Sequence, residues 1–207
     1  MNTSICALIL AAGTSNRMGK PKQLLLLGNR TILEHVIHHS LEKDFSEVIA
    51  VIGHETEMIK KVISIDDKRF RWVENADYLS GQSASLRIGI ESLREHHSNI
   101  MVFLGDLPFT STETIRLIYQ SGVARMKESE EAFMIRPTHK GVSGHPVFFG
   151  NIDRNLFAQL QGDKGGKTIM NKISDHILLD VDDHGILFDV DTPSDYVEAK
   201  RIQSLEH

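Results

Sequence analysis

Apolar residues along the chain fall into short runs separated by polar turns, and the runs alternate between strand and helix character. Ile5 to Leu10 is an unbroken apolar run and predicts a buried strand. A loop rich in glycine and positive charge follows, then a helix over Thr31 to Ser40 with Thr31 as its cap. Val48 to Ile52 predicts the next strand, His54 to Ile63 a helix, and Phe70 to Val73 a third strand ending in the polar turn around Asn75. Ser85 to Leu93 predicts a helix, Ile100 to Leu104 a buried strand that runs into Gly105-Asp106-Leu107-Pro108, and Thr112 to Met126 a helix. Such repetition predicts an α/β fold with a mostly parallel sheet covered by helices.

The second half is less regular. Ala132 to Arg136 and Pro146 to Phe149 predict strands around a glycine-containing turn, with a helix near Arg154 to Leu160. Ile177 to Val181 and Leu187 to Val190 predict two further short strands, and Pro193 is placed to start a final helix through Ile202. Residues 1–204 read as one domain, with 132–176 as a lid within it and Leu205-Glu206-His207 as the stub of a cloning site.

The chain has 207 residues, enough to bury a large core without disulfide staples. Its single cysteine, Cys6, sits in an apolar run, which excludes an internal disulfide and a four-cysteine metal site. Twenty-three basic and 28 acidic residues give a formal charge of -5, which argues against non-specific nucleic-acid binding while leaving room for a local cationic pocket. No run approaches the ~18 apolar residues of a membrane span, so a cytoplasmic protein without membrane partners is expected.

Leu10-Ala11-Ala12-Gly13-Thr14-Ser15-Asn16-Arg17-Met18-Gly19-Lys20-Pro21-Lys22 is the most informative segment. Small residues let backbone approach a ligand, and Arg17, Lys20 and Lys22 can neutralise phosphate charge; the other reading is a solvent-facing turn. It is not a standard P-loop, because five residues separate Gly13 from Gly19 and Pro21 stands where a magnesium-binding hydroxyl is required. Asp106, at the carboxyl end of an apolar strand, is the leading metal ligand, with turn capping as its alternative. Asp189 and Asp191 flank Val190, so an extended backbone turns both carboxylates to one side.

This string of residues resembles the nucleotidyltransferases that activate molybdenum cofactor or sugar phosphates, the MobA-like NTP transferases. The resemblance is strongest to the molybdenum cofactor cytidylyltransferase group, which includes proteins of purine-oxidising enzyme maturation. It implies a Rossmann-like three-layer sandwich of the nucleotide-diphospho-sugar transferase type, with a mostly parallel central sheet. It also implies that CTP is bound by Leu10, the backbone of Ala11, Ala12 and Gly13, and the side chains of Arg17 and Lys22. Magnesium would be held by Asp106 and Asp189, with Asp191 capping the last helix or supporting the site. Asn75 and the stretch Ser80 to Leu86 gather amide, hydroxyl and glycine groups suited to base or ribose hydrogen bonds, and the resemblance makes Gly81, Ser83 and Ser85 nucleotide contacts, although Ser83 also reads as a helix cap. Gly144, His145, Lys164, Gly165 and Lys167 would receive the acceptor, molybdopterin cofactor, although His145 also reads as a structural histidine and 162–167 as a surface turn. The product enzyme served would be a molybdenum-containing purine dehydrogenase. Two rivals remain: transfer to a sugar phosphate or another small phosphate, and a cofactor-binding chaperone without turnover.

Overall fold

The computed structural model describes residues 4–94, 98–153, 155–158 and 169–205. Ten strands are described: β1 (Ile5–Leu10), β2 (Leu26–Leu27), β3 (Arg30–Thr31), β4 (Glu47–Ile52), β5 (Phe70–Glu74), β6 (Asn99–Leu104), β7 (Phe133–His139), β8 (Val142–Ser143), β9 (Val147–Gly150) and β10 (Asp175–Asp180). The helices are α1 (Ile32–Leu41), α2 (Thr56–Val62), α3 (Gln82–Glu91), α4 (Thr112–Glu128), α5 (Asn155–Ala158) and α6 (Pro193–Leu205).

The main sheet runs in the order β10-β7-β9-β6-β1-β4-β5, with β8 hydrogen-bonded to β7 and β2-β3 forming a separate ribbon. β1 pairs in parallel with both β4 and β6, whereas β9 is antiparallel to its neighbours β6 and β7. The sheet is therefore mixed: β9 interrupts a parallel set, and the short β8 is also antiparallel to β7. Of the stretch 132–176, β7 and β9 are interior strands of this sheet.

β1 shows why the apolar run folds in this way. Its alternate residues serve opposite faces: Ile5, Ala7 and Ile9 join the core beneath α1, α2 and α4, while Cys6 and Leu8 join the core beneath α3. Both faces are covered, so the period-two alternation disappears from the sequence and a continuous apolar run remains. α3 lies tight against β1, since a Cβ on Gly89 would stand 2.5 Å from Leu8 Cδ1. A third apolar cluster joins Met18, Leu25, Leu27 and Ile32 to Val190 and Ala199, tying the N-terminal loop to α6.

Helix ends follow local chemistry. Thr31 caps α1 in a capping box with Glu34. α6 begins at Pro193, where the missing N–H costs nothing. Its cap is Thr192: the Asp195 N–H bonds Thr192 Oγ1 at 3.3 Å, and Asp195 Oδ2 accepts from the Thr192 N–H at 2.7 Å. That reciprocal pair leaves the Asp191 side chain free of the capping role expected as one of its alternatives. α3 starts at Gln82, earlier than its apolar pattern suggests. Gly81, at φ 97°, is its N-cap, so Ser83 lies inside the first turn and is not the cap.

The strand expected at Leu187 to Val190 does not form. After β10 the chain makes a short 3-10 turn at His184–Ile186 and crosses back over the carboxyl ends of the strands. Here Phe188 packs against Phe109, and the Val190 N–H bonds the Asp106 carbonyl at 3.0 Å. This crossing carries Asp189 and Asp191 to Asp106. Among the described residues, no helix is long and apolar enough to cross a membrane.

Candidate nucleotide and metal site

In the order β5-β4-β1-β6, the chain moves out from β1 to one side and returns to its other side, which makes the ends of β1 and β6 a topological switch point. The two strand ends meet closely: the Gly105 N–H donates to the Leu10 carbonyl at 2.9 Å, and a Cβ on Gly105 would lie 2.8 Å from Ala11 Cβ. From this point the loop after β1 and the turn after β6 diverge, carrying Arg17 and Lys22 on one and Asp106 on the other.

The loop is held open by a residue that sequence reasoning missed. Gln23 is 3% exposed, and its Nε2 donates to the carbonyls of Ala11 at 3.0 Å and Gly13 at 2.9 Å. Its Oε1 accepts from Ser15 Oγ, and Ser15 Oγ in turn accepts the Lys22 N–H. The Ala11 N–H is bonded to the Val51 carbonyl, so both backbone groups of Ala11 build the loop. Space beside Gly13 is open, with no atom within 4 Å of the Cβ it lacks. The only sequence signal for Gln23 is a polar side chain immediately before four consecutive leucines.

Lys22 is the electrostatic centre. Its Nζ donates to Asp106 Oδ2 at 2.6 Å and also pairs with Asp191 Oδ1, while Arg17 pairs with Asp191 Oδ2. Burial disfavours the Lys22 charge, but the two carboxylates outweigh it and hold its pKa above the ordinary lysine value. Burial likewise opposes ionisation of Asp191, yet the bond to Lys22 and the charges of Lys22 and Arg17 hold that carboxyl below its usual range. Asp189 moves the other way: burial raises its pKa, and the negative charges of Asp191 and Asp106 add to the rise. Arg17 is largely exposed, its side chain 69% accessible, and is free to follow a ligand.

The residues fit a divalent cation that is completed by its ligand. Asp106 Oδ1 is buried without a hydrogen-bond partner, an oxygen prepared for a cation or a donor. Among the described residues, no three His, Cys, Asp or Glu are grouped as a complete metal cage. Magnesium bound with a nucleotide takes one or two carboxylates, the rest of its shell coming from phosphate oxygens and water. Asp106 and Asp189 could supply that pair. Asp191, in contrast, is already engaged by both cations.

The remaining expected residues separate into two groups. Asn75, Ser83 and Ser85 are all buried, and the Asn75 amide donates to Ser85 Oγ at 3.0 Å while its oxygen accepts the Asp77 N–H. Asn75 and Ser85 thus lock the loop before α3 and position Gly81 and Gln82. Gly144 packs under Ile186, where a Cβ would stand 2.4 Å from the Ile186 carbonyl. His145 and Ser83 line a cavity of about 250 Å³ on the α3 face, together with Gln82 and Arg136. Lys164, Gly165 and Lys167 lie outside the described residues. Lys20 reaches over the Tyr196 ring of α6, 6.0 Å from its centroid.

A family model described as the MobA-like NTP transferase domain matches residues 7–177. The molybdenum cofactor cytidylyltransferase of Escherichia coli strain K12 is 26% identical over 201 residues, which cover 96% of each chain. The bifunctional protein GlmU of Thermosipho melanesiensis is 30% identical over 173 residues, spanning 81% of this chain and 35% of its own length. Among solved structures, that of Rv0371c from Mycobacterium tuberculosis H37Rv is similar with a TM-score of 0.79 at 26% identity, covering 97% of this chain and 99% of the other.

Proposed function

Because the chain belongs to the family of MobA-like NTP transferase domains, we propose that it transfers CMP from CTP to the terminal phosphate of molybdopterin cofactor. A phosphate oxygen of the acceptor forms a bond to the α-phosphorus of CTP. The bond from that phosphorus to the bridging oxygen breaks, and pyrophosphate departs with the electron pair. The acceptor is already an anion, so neither a general base nor a covalent enzyme intermediate is needed.

The observation that carries this reading is the placement of Lys22 between Asp106 and Asp191 at the switch point. In the complex, Lys22 and Arg17 turn from the carboxylates to the triphosphate and neutralise charge as it spreads over the phosphate oxygens. Gln23 holds the loop from Ala11 to Gly13 in the shape that receives the phosphates. Asp106 and Asp189 would hold magnesium, which when bound offsets phosphate charge and favours departure of pyrophosphate. CTP as donor is supported by the resemblance of the Leu10-Ala11-Ala12-Gly13 string to the cytidylyltransferase group and by the near full-length similarity to the Escherichia coli cytidylyltransferase. The product would serve a molybdenum-containing purine dehydrogenase in the cytoplasm.

The reading is tested by incubating the protein with magnesium, each of the four NTPs and molybdopterin cofactor, then weighing the products. A cytosine dinucleotide formed from CTP alone is expected. Product from GTP would overturn the base assignment, and product from a hexose phosphate only would overturn the acceptor. Binding without turnover would make the protein a cofactor chaperone.

A further inference from the structure

The cavity on the α3 face holds a half-buried cation that has no counter-charge among the described residues. Arg136 projects from β7, two residues beyond Met134 and so on the same face of the sheet. Its Nε is buried without a hydrogen-bond partner, and among the described residues its Nη atoms reach only Met170 Sδ at 3.4 Å and the Gly144 carbonyl at 3.5 Å. Burial lowers its pKa from the ordinary arginine value, with no acidic residue among the described residues opposing the change. A guanidinium partly taken from water with so few partners is costly, and a well-packed apolar residue there would cost less. The arginine is therefore explained by what enters the cavity.

The rest of the wall limits what that can be. Leu10, Leu86, Val147 and Phe149 make it mainly apolar. His145, beside Arg136, keeps a neutral ring whose Nδ1 is buried without a partner. A hexose would leave several hydroxyls facing carbon, whereas a flat heterocycle places its apolar faces on the wall and its polar edge on two side chains. Arginine donates two parallel N–H bonds to such an edge, as it does to the carbonyl-bearing edge of guanine.

Resting on the proposed nucleotidyl transfer, we infer that this cavity receives the ring body of the acceptor, a planar heterocycle carrying an edge carbonyl, and that Arg136 binds that oxygen. Arg136 thereby selects the acceptor against sugar phosphates of similar charge. Gln82 and Ser83, on the same wall, place the ring beside the loop before α3.

The test measures binding, without nucleotide, of 6-hydroxymethylpterin phosphate and of glucose 1-phosphate to the wild-type protein and to Arg136→Met. Wild type should bind the pterin phosphate at least tenfold more tightly than the sugar phosphate. Arg136→Met should lose at least tenfold for the pterin while its ligand-free melting temperature stays level or rises, because an uncompensated charge has been removed. A residue that merely supported the fold would lower the melting temperature. Equal affinity for the two phosphates, or unchanged pterin binding by Arg136→Met, would overturn the inference. Selective pterin binding without CMP transfer would leave this inference standing and sink the proposed reaction; CMP transfer with no effect of Arg136→Met on the acceptor KM would do the reverse.

Discussion

Lys22 Nζ lies 2.6 Å from Asp106 Oδ2 and thereby joins the loop after β1 to the turn after β6. With Asp191 on its other side, the ammonium occupies the centre of the carboxylate group. Ligand-free protein therefore keeps its acidic residues neutralised by its own lysine, and a metal must compete with that charge. Lys22→Met should raise the affinity of ligand-free protein for Mn2+, read by the loss of the free-ion signal in electron paramagnetic resonance. The same variant should lose about 10²–10³-fold in turnover, the scale for removing one group that stabilises developing charge. Unchanged Mn2+ affinity would show that Lys22 and the cation do not share a place.

The three carboxylates should not be equivalent. Asp106→Ala and Asp189→Ala remove the expected magnesium ligands and should each lower magnesium-dependent turnover at least a hundredfold while the folded state persists. Asp191→Asn instead releases Lys22 and Arg17 and should act mainly on KM for the nucleotide. Steady-state kinetics on the folded variants, verified by circular dichroism, separate these outcomes.

Gln23→Leu leaves the carbonyls of Ala11 and Gly13 without their side-chain donor. Leaving the buried Ala11 carbonyl without its donor costs about 1–3 kcal/mol, which chemical denaturation can resolve, whereas exposed Gly13 can turn to water. The loop geometry fails with it, so KM for CTP should rise more than kcat falls.

His145 gives the fold a pH dependence. Burial, with the nearby charge of Arg136 adding to it, lowers the ring's pKa from 6.5 to about 4, so it is neutral in the folded chain at neutral pH. The unfolded chain takes up the proton near 6.5, earlier than the folded one does. Stability from this group is therefore complete above pH 6.5, falls as pH drops, and is gone below about pH 4, a total of about 3 kcal/mol. Urea denaturation of His145→Gln should show a shallower decline between pH 7 and pH 5 than wild type. Parallel declines would remove His145 as the cause.

The sequence made the strands legible where both faces are buried. β1 and β6 are plain apolar runs, and the turn that follows β6 exposes Asp106 where ligands of such sheets bind. Leu187 to Val190 carries a similar apolar signal but packs on loops and α6 in place of a sheet partner, a difference that periodicity cannot register. Lys22 was visible in the loop pattern, but its pairing with Asp191, 169 residues away, depends on a crossing segment that no local rule specifies. Asn75 and Ser85 read as nucleotide contacts because amide, hydroxyl and glycine groups gather in one loop before a helix; that these two side chains also bond to one another is a tertiary contact that composition does not reveal. Arg136 did leave a trace, a charge inside the apolar run of β7, and that mismatch marks the cavity.

The central claim is nucleotidyl transfer at the Lys22 and Asp106 site, and pyrophosphate release addresses it most directly. With magnesium and molybdopterin cofactor present, a coupled assay should detect pyrophosphate from CTP, none when the acceptor is omitted, and little from Asp106→Ala. Release that does not depend on the acceptor, or that survives in Asp106→Ala at the wild-type rate, would contradict the account.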